Sequence, residues 1–127
     1  MNIILWIAAG LLALVALAGG LTKTLIPKGK LEHHEGAAWT RDVSPGFVKT
    51  LGVLELLAAI GLILPAVVDV APVMVPVTAV CWIALMIGAM ITHARLDQFK
   101  LVMVNSVYLA LAVFIAVGRF GPESFTA

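Results

Sequence analysis

The chain has 127 residues, of which 62% are apolar and 12% charged, with a formal net charge of +1 and a single cysteine. About 79 apolar residues is close to the ~80 that four membrane-spanning helices of ~20 residues need, and 12% charged is half the roughly 25% of an ordinary soluble domain. A soluble globular enzyme, a disordered tail, a disulfide scaffold and a nucleic-acid binder all fit badly, and a mean hydropathy of +1.12 points to an all-α integral membrane four-helix bundle, one transmembrane domain over residues 1–127.

The first apolar run, residues 3–22, contains no charge. Ala16-Leu17-Ala18 resembles a signal-peptidase site, but no Lys or Arg precedes Lys23, so a retained transmembrane helix is expected rather than a signal peptide. A polar loop, residues 23–45, follows. Ser44-Pro45 then places an N-cap side chain before a proline at the first helical position, and a second span is expected over 46–64, stopping near Pro65. Pro72 opens a third span to about residue 92, with Pro76 in its first turns, where a missing amide hydrogen costs little. Residues 93–100 form a polar turn, and 101–118 make the fourth span.

Basic residues set the orientation. Lys23, Lys28, Lys30, Arg41, Lys49, Arg95 and Lys100 belong to the first and third connections and their helix ends, against Arg119 alone on the other side. By the positive-inside rule the loops 23–45 and 93–100 are cytoplasmic and both termini lie outside a cell membrane.

The residues that hydrocarbon should exclude carry the functional signal. Glu55 lies about ten residues into its helix, roughly 15 Å along the axis and near mid-bilayer, where a charged side chain costs ~2.5–3.5 kcal/mol. Its helical neighbours Val48, Gly52, Ala58, Ala59 and Leu62 form a mostly small stripe suited to helix contact. Glu55 is therefore expected to point into the bundle, protonated or paired. Lys23 follows another small face, Ala9, Ala13, Ala16 and Gly20. It is either a snorkelling end-of-helix lysine or the partner of Glu55. His93 closes the third span on the same side, and Asn105 and Tyr108 share one face of the fourth. All five fall in the half adjoining the basic loops, a one-sided polar cup, while the other half offers Thr78 alone as a clearly polar interior residue. The cup is read either as a site or as a hydrogen-bonded network that fixes helix packing.

Other signals read as structure. His33-His34-Glu35 lacks metal-site spacing and is expected in a solvated loop; no metal site is expected. His93 suits a capping or network role better than haem ligation. Trp82, Met86 and Met90 form a packing stripe, Trp6 and Trp39 are interface anchors, and Cys81 has no basic neighbour to activate it. Gly88-x-x-x-Thr92 is a small-x-x-x-small helix contact.

Together these residues resemble a family. Gly19-Gly20-Leu21-Thr22-Lys23 is similar to the G-x-x-K element of DoxX-like membrane proteins, and Gly52-Val53-Leu54-Glu55 followed by Gly61-Leu62-Ile63-Leu64-Pro65 is similar to their second-helix signature. His93 and Asn105 fall where the family's other polar positions occur. The similarity runs from about Leu5 to Phe120, and the loop from Lys28 to Asp42 is its least family-like part. The resemblance implies a four-helix membrane protein. The family is named for association with thiosulfate:quinone oxidoreductase, and some members resemble partners in membrane redox or thiol-stress complexes.

Two readings follow. In the first the chain is a membrane subunit or a binder of a lipophilic molecule, a quinone or a lipid, associated with redox enzymes, with Asn105, Tyr108 and Lys49 contacting the ligand. In the second it is a small intramembrane enzyme in which Glu55 is general acid or base, Lys23 or His93 is its charge partner, and Asn105 and Tyr108 orient the substrate's oxygen. No cofactor motif is evident, a quinone being the one cofactor admitted. The lipid bilayer is the expected partner, with assembly into a homo-oligomer or larger membrane complex because more than one small-residue face is present.

Overall fold

The structure, a computed structural model, describes residues 2–26, 30 and 44–121. Among these residues the four long helices are α1 (Asn2–Leu25), α2 (Pro45–Val67), α3 (Met74–Arg95) and α4 (Phe99–Phe120), and no strand occurs. Each is long and apolar enough to cross a membrane. Successive helices run antiparallel, because the contacts Gly20–Gly52, Gly61–Thr78 and Leu5–Gly118 pair the end of one helix with the start of another. The result is an up-down-up-down bundle.

All four helices exceed their apolar runs. α1 carries Lys23 and Thr24 within its last turn, and α3 carries His93 and Arg95 in its own. A hydrophobicity boundary ends at the first polar residue, whereas the backbone keeps its hydrogen-bond ladder until water is available. α2 continues through Pro65 to Val67, beyond the expected stop. The amide lost at Pro65 belongs to the closing turn, where the fixed φ of proline is already helical. α3 begins at Met74 rather than residue 72, since Met74 and Val75 donate to Ala71 and Pro72 in a tight turn. That places Pro76 at the third helical position, where its absent N–H would have had no intrahelical acceptor.

The helix ends are closed by local chemistry. Ser44 accepts a hydrogen bond from the Phe47 amide at 3.1 Å, with Pro45 opening α2. Both α2 and α3 end in Schellman motifs. Asp69 (φ 54°) lets Val70 N–H reach the Pro65 carbonyl at 3.1 Å, and Asp97 (φ 57°) lets Gln98 N–H reach the His93 carbonyl at 2.8 Å. Aspartate occupies the left-handed position more readily than most residues with a Cβ. At the end of α1 the Lys49 ammonium donates to the Thr24 carbonyl at 2.7 Å and the Ile26 carbonyl at 3.3 Å, satisfying acceptors that the helix leaves open.

α1 packs most extensively on α2, and α3 on α4; the two pairs meet over less area. The core between them comprises Leu12, Ala16, Leu62, Val75, Ala79, Trp82, Met86, Ala112 and Ile115 among others. The outer surface is leucine, isoleucine and valine, including Ile3, Leu14, Leu57, Ile87 and Val107, all more than half exposed or nearly so. A soluble protein does not expose so continuous an apolar belt, and with four spans the molecule is a multi-pass membrane protein. Close approach of α1 and α2 depends on glycine. A Cβ at Gly52 would lie 2.7 Å from Thr24 Cγ2 and 2.9 Å from Lys23 Cβ, and one at Gly20 would lie 2.9 Å from the Gly52 carbonyl.

This contact yields a prediction with a built-in contrast. Gly52→Ala should lower stability by about 1–3 kcal/mol through overpacking. Gly88→Ala, where a Cβ meets nothing within 4 Å, should raise it by roughly 0.5–1 kcal/mol from helix propensity. Reversible unfolding in mild detergent measures both, and the two shifts should have opposite signs.

Candidate functional site

The α1–α2 contact positions an ion pair. Lys23 lies one turn after Gly19 and Gly20, and Glu55 one turn after Gly52, so the glycines that bring the backbones together bring these two side chains face to face. Lys23 Nζ donates to both Glu55 oxygens at 3.0 Å. Glu55 is 6% exposed and points into the bundle, as its small-residue stripe predicts. Of the two roles open to Lys23, the structure selects the partner of Glu55. Gly19 makes room for the pair, because a Cβ there would fall 2.6 Å from Glu55 Oε2.

His93 is placed by the end of α3. The Schellman turn folds Gln98 back over the last helical turn, and its side-chain Oε1 lies 2.8 Å from His93 Nδ1. The contact fixes the orientation of the imidazole ring. His93 itself is buried. Asn105 and Tyr108 sit half-buried on one face of α4.

Lys23, Glu55, His93, Asn105 and Tyr108 all line one cavity of about 420 Å³, which every helix helps to enclose. The size falls within the ~300–1,000 Å³ typical of small-molecule sites. Its walls are otherwise mostly apolar, with Val15, Phe47, Leu51, Trp82, Leu85 and Met86 among them and Thr92 as a further hydroxyl. The expected cup is thus a space bounded by a compensated ion pair, a histidine and two neutral polar side chains. Lys49 is not part of it, since its ammonium caps α1. Thr78, in the opposite half, donates to the Met74 carbonyl at 2.6 Å and packs on Gly61.

Several sequence readings change. Gly88 and Thr92 make no helix contact of the expected kind: they line the cavity, with open space before Gly88. A four-residue spacing of small side chains identifies a smooth strip of helix but not what lies against it. Trp82 and Met86 are in the core as expected, but Trp82 also lines the cavity, and its buried Nε1–H has no hydrogen-bond partner among the described residues. Gln98 was not singled out by the sequence, since its role depends on the turn at Asp97. At the other end of the bundle Arg119 is 4% exposed. It donates to Asn2 Oδ1 at 2.8 Å and lies 5.9 Å from the Trp6 ring centroid, so Trp6 serves a cation–π contact within the bundle. Cys81 is exposed in an apolar stretch. His33, His34, Glu35 and Trp39 lie outside the described residues, among which no group of three or more His, Cys, Asp or Glu could hold a metal.

A four-span bundle with a polar cavity at one end of its core describes a class of small membrane proteins. The match of the DoxX-like family model to residues 7–115 narrows that class, and the chain belongs to the DoxX-like family. Comparison with curated proteins and with solved structures gives no match.

The ion pair yields the second prediction. Lys23→Met and Glu55→Gln should each destabilise the protein, by about 3 kcal/mol, near the lower end for a broken buried pair because the Lys23 side chain is one-fifth exposed. The Lys23→Met/Glu55→Gln double variant should recover a large part of that loss, giving a coupling of about 1–3 kcal/mol in a double-mutant cycle. Strict additivity in the same unfolding assay would mean that the pair contributes nothing specific.

Proposed function

We propose that the protein is a membrane-embedded binding subunit that takes the polar head of a lipophilic molecule, a quinone or a lipid, between its helices and works with a redox enzyme. The observation that carries this reading is the 420 Å³ cavity with Lys23, Glu55, His93, Asn105 and Tyr108 on its walls. Polar groups in hydrocarbon are costly, and a network that served packing alone would leave no such space between its members. Asn105 and Tyr108 supply neutral hydrogen-bonding groups for an oxygen of the ligand, while Lys49 acts at a distance by closing the end of α1. The redox association rests on what the family resemblance implies.

The alternative is an intramembrane enzyme with Glu55 as general acid or base. What favours it is that Glu55 lines the same cavity as His93 and Tyr108. What weighs against it is that Lys23 engages both carboxylate oxygens, so proton transfer would first have to break the pair. Binding is accordingly the reading adopted.

Extraction in a mild detergent followed by native mass spectrometry should find a small lipophilic molecule retained by the parent protein. Asn105→Leu and Tyr108→Phe should reduce that retention several-fold without loss of the fold, each by about the 0.5–1.5 kcal/mol of a neutral hydrogen bond. Equal retention by parent and both variants would remove these residues from the site. The same spectra report whether the chain assembles as the homo-oligomer or larger complex included in this proposal.

The orientation is proposed on the seven-to-one distribution of basic residues, with the termini outside the cell membrane. In a Cys81→Ser background, a thiol placed at Val70 should react with an impermeant maleimide added to intact cells. One at Lys100 should react only after the cells are opened. The reverse pattern would invert the topology.

A further inference from the structure

The cavity reaches the lipid-facing surface between α2 and α3. On α2, Phe47, Leu51 and Glu55 follow one another at one-turn spacing and all line the cavity. Their exposure falls along the row, from 50% at Phe47 through half-buried Leu51 to 6% at Glu55. On α3, Ala84, Gly88 and Thr92 have the same spacing and line the same cavity. Ala84 and Gly88 are exposed, and Thr92 is half-buried. The antiparallel contact of Gly61 with Thr78 sets the register, which puts Glu55 level with Ala84, Leu51 with Gly88 and Phe47 with Thr92. An apolar row on one helix therefore stands opposite a row of small residues on the other. Residues that both line a cavity and are exposed on the lipid surface mark its mouth.

Two further observations point to an occupant. Gly88 is a helix-interior glycine for which packing gives no reason, since a Cβ would meet nothing within 4 Å. It weakens the helix and leaves the gap wide. Inside, Trp82 is 2% exposed and lines the cavity, yet its Nε1–H has no partner among the described residues. Trp82 supplies an aromatic wall, while Asn105 and Tyr108, half-buried on the same cavity, offer an N–H and an O–H to an acceptor. The charges of Lys23 and Glu55 already compensate each other at 3.0 Å, so the cavity does not call for a charged head.

We propose that the gap between α2 and α3 is a lateral portal. A ligand with a neutral, hydrogen-bond-accepting head and a single apolar chain enters through it from the bilayer. The head accepts from the Asn105 amide and the Tyr108 hydroxyl on the cavity wall, and the chain lies along Phe47, Leu51, Ala84 and Gly88. This rests on the binding function proposed above and adds the route, the chemistry of the head and the place of the chain.

Trp82 can report on its own site. In a Trp6→Phe/Trp39→Phe background, reconstituted in phosphatidylcholine vesicles, Trp82 is the sole tryptophan. The probe is decyl-benzoquinone, with two carbonyl acceptors, one alkyl chain and a ring that quenches indole fluorescence. Saturable quenching is expected, and decylbenzene, which has the chain without the acceptors, should not displace the probe. Gly88→Leu and Ala84→Leu, each adding bulk on an exposed part of α3, should each slow association at least tenfold in stopped-flow mixing. Gly10→Leu also adds a leucine where a Cβ meets nothing within 4 Å, but on α1 away from the mouth, and should leave the rate unchanged. Quenching that rises linearly without saturation would overturn the binding function and the portal together. Saturable quenching with unchanged association in both α3 variants would overturn the portal and leave binding standing. Displacement by decylbenzene would overturn the assignment of the head. Should Gly88→Leu fail to fold, Ala84→Leu decides the route.

Discussion

The structure depends on one constraint: a carboxylate and an ammonium placed among apolar helices must find each other. Alone, Glu55, halfway along α2, would cost ~2.5–3.5 kcal/mol at mid-bilayer. At 3.0 Å, with both carboxylate oxygens engaged, it and Lys23 form a neutral unit that the bundle can enclose. The pair forms only if the backbones of α1 and α2 come close, which is why glycines occupy positions 19, 20 and 52. Electrostatics and small-residue packing are thus a single requirement here. The glycines let the pair form, and the pair specifies which faces of α1 and α2 meet.

With α1 bound closely to α2 and α3 closely to α4, the two pairs share a core at the level of Leu62, Ala79 and Ile115, and the cavity lies at the end that holds the polar residues. Thr78 against Gly61 joins α2 to α3 at the other end. The cavity's polar members are held by partners outside it or by each other: His93 by Gln98, Glu55 by Lys23. The opposite end is tied by Arg119, which reaches Asn2 and the Trp6 ring, joining the beginning of α1 to the end of α4.

Much of this was legible in the sequence, for physical reasons that can be named. Four spans follow from apolar run length, because the bilayer sets a fixed thickness. The inward direction of Glu55 follows from the small residues at helical spacing around it. The N-cap at Ser44 follows from Ser-Pro chemistry. The cup followed from the side of the membrane to which Lys23, His93, Asn105 and Tyr108 belong. The remainder needed three dimensions. Lys49 could not be separated from the site, because a lysine one turn into a span reads alike whether it meets a ligand or a carbonyl. Gly88-x-x-x-Thr92 gave the same pattern as a real helix contact, and only the space in front of it distinguishes the two. Gln98 depends on Asp97 adopting positive φ, and Trp82 on the absence of a nearby acceptor.

The arrangement of donors and acceptors bears on what the cavity can do. A general base needs a free lone pair aimed at its substrate, and in Glu55 both oxygens face Lys23. His93 is held through Nδ1 against Gln98, which fixes the orientation of its ring. Asn105 offers an amide and Tyr108 a hydroxyl, and Trp82 can only donate. Such a set is suited to hold a polar head by hydrogen bonds in a medium where each of them is strengthened by the low dielectric. It is poorly suited to accumulate charge, because every new charge would have to be balanced by breaking the one ion pair on which the packing of α1 against α2 rests. Stability and chemistry therefore make opposite demands on Glu55, and the binding function proposed above is the one that would leave the fold intact while the site is in use.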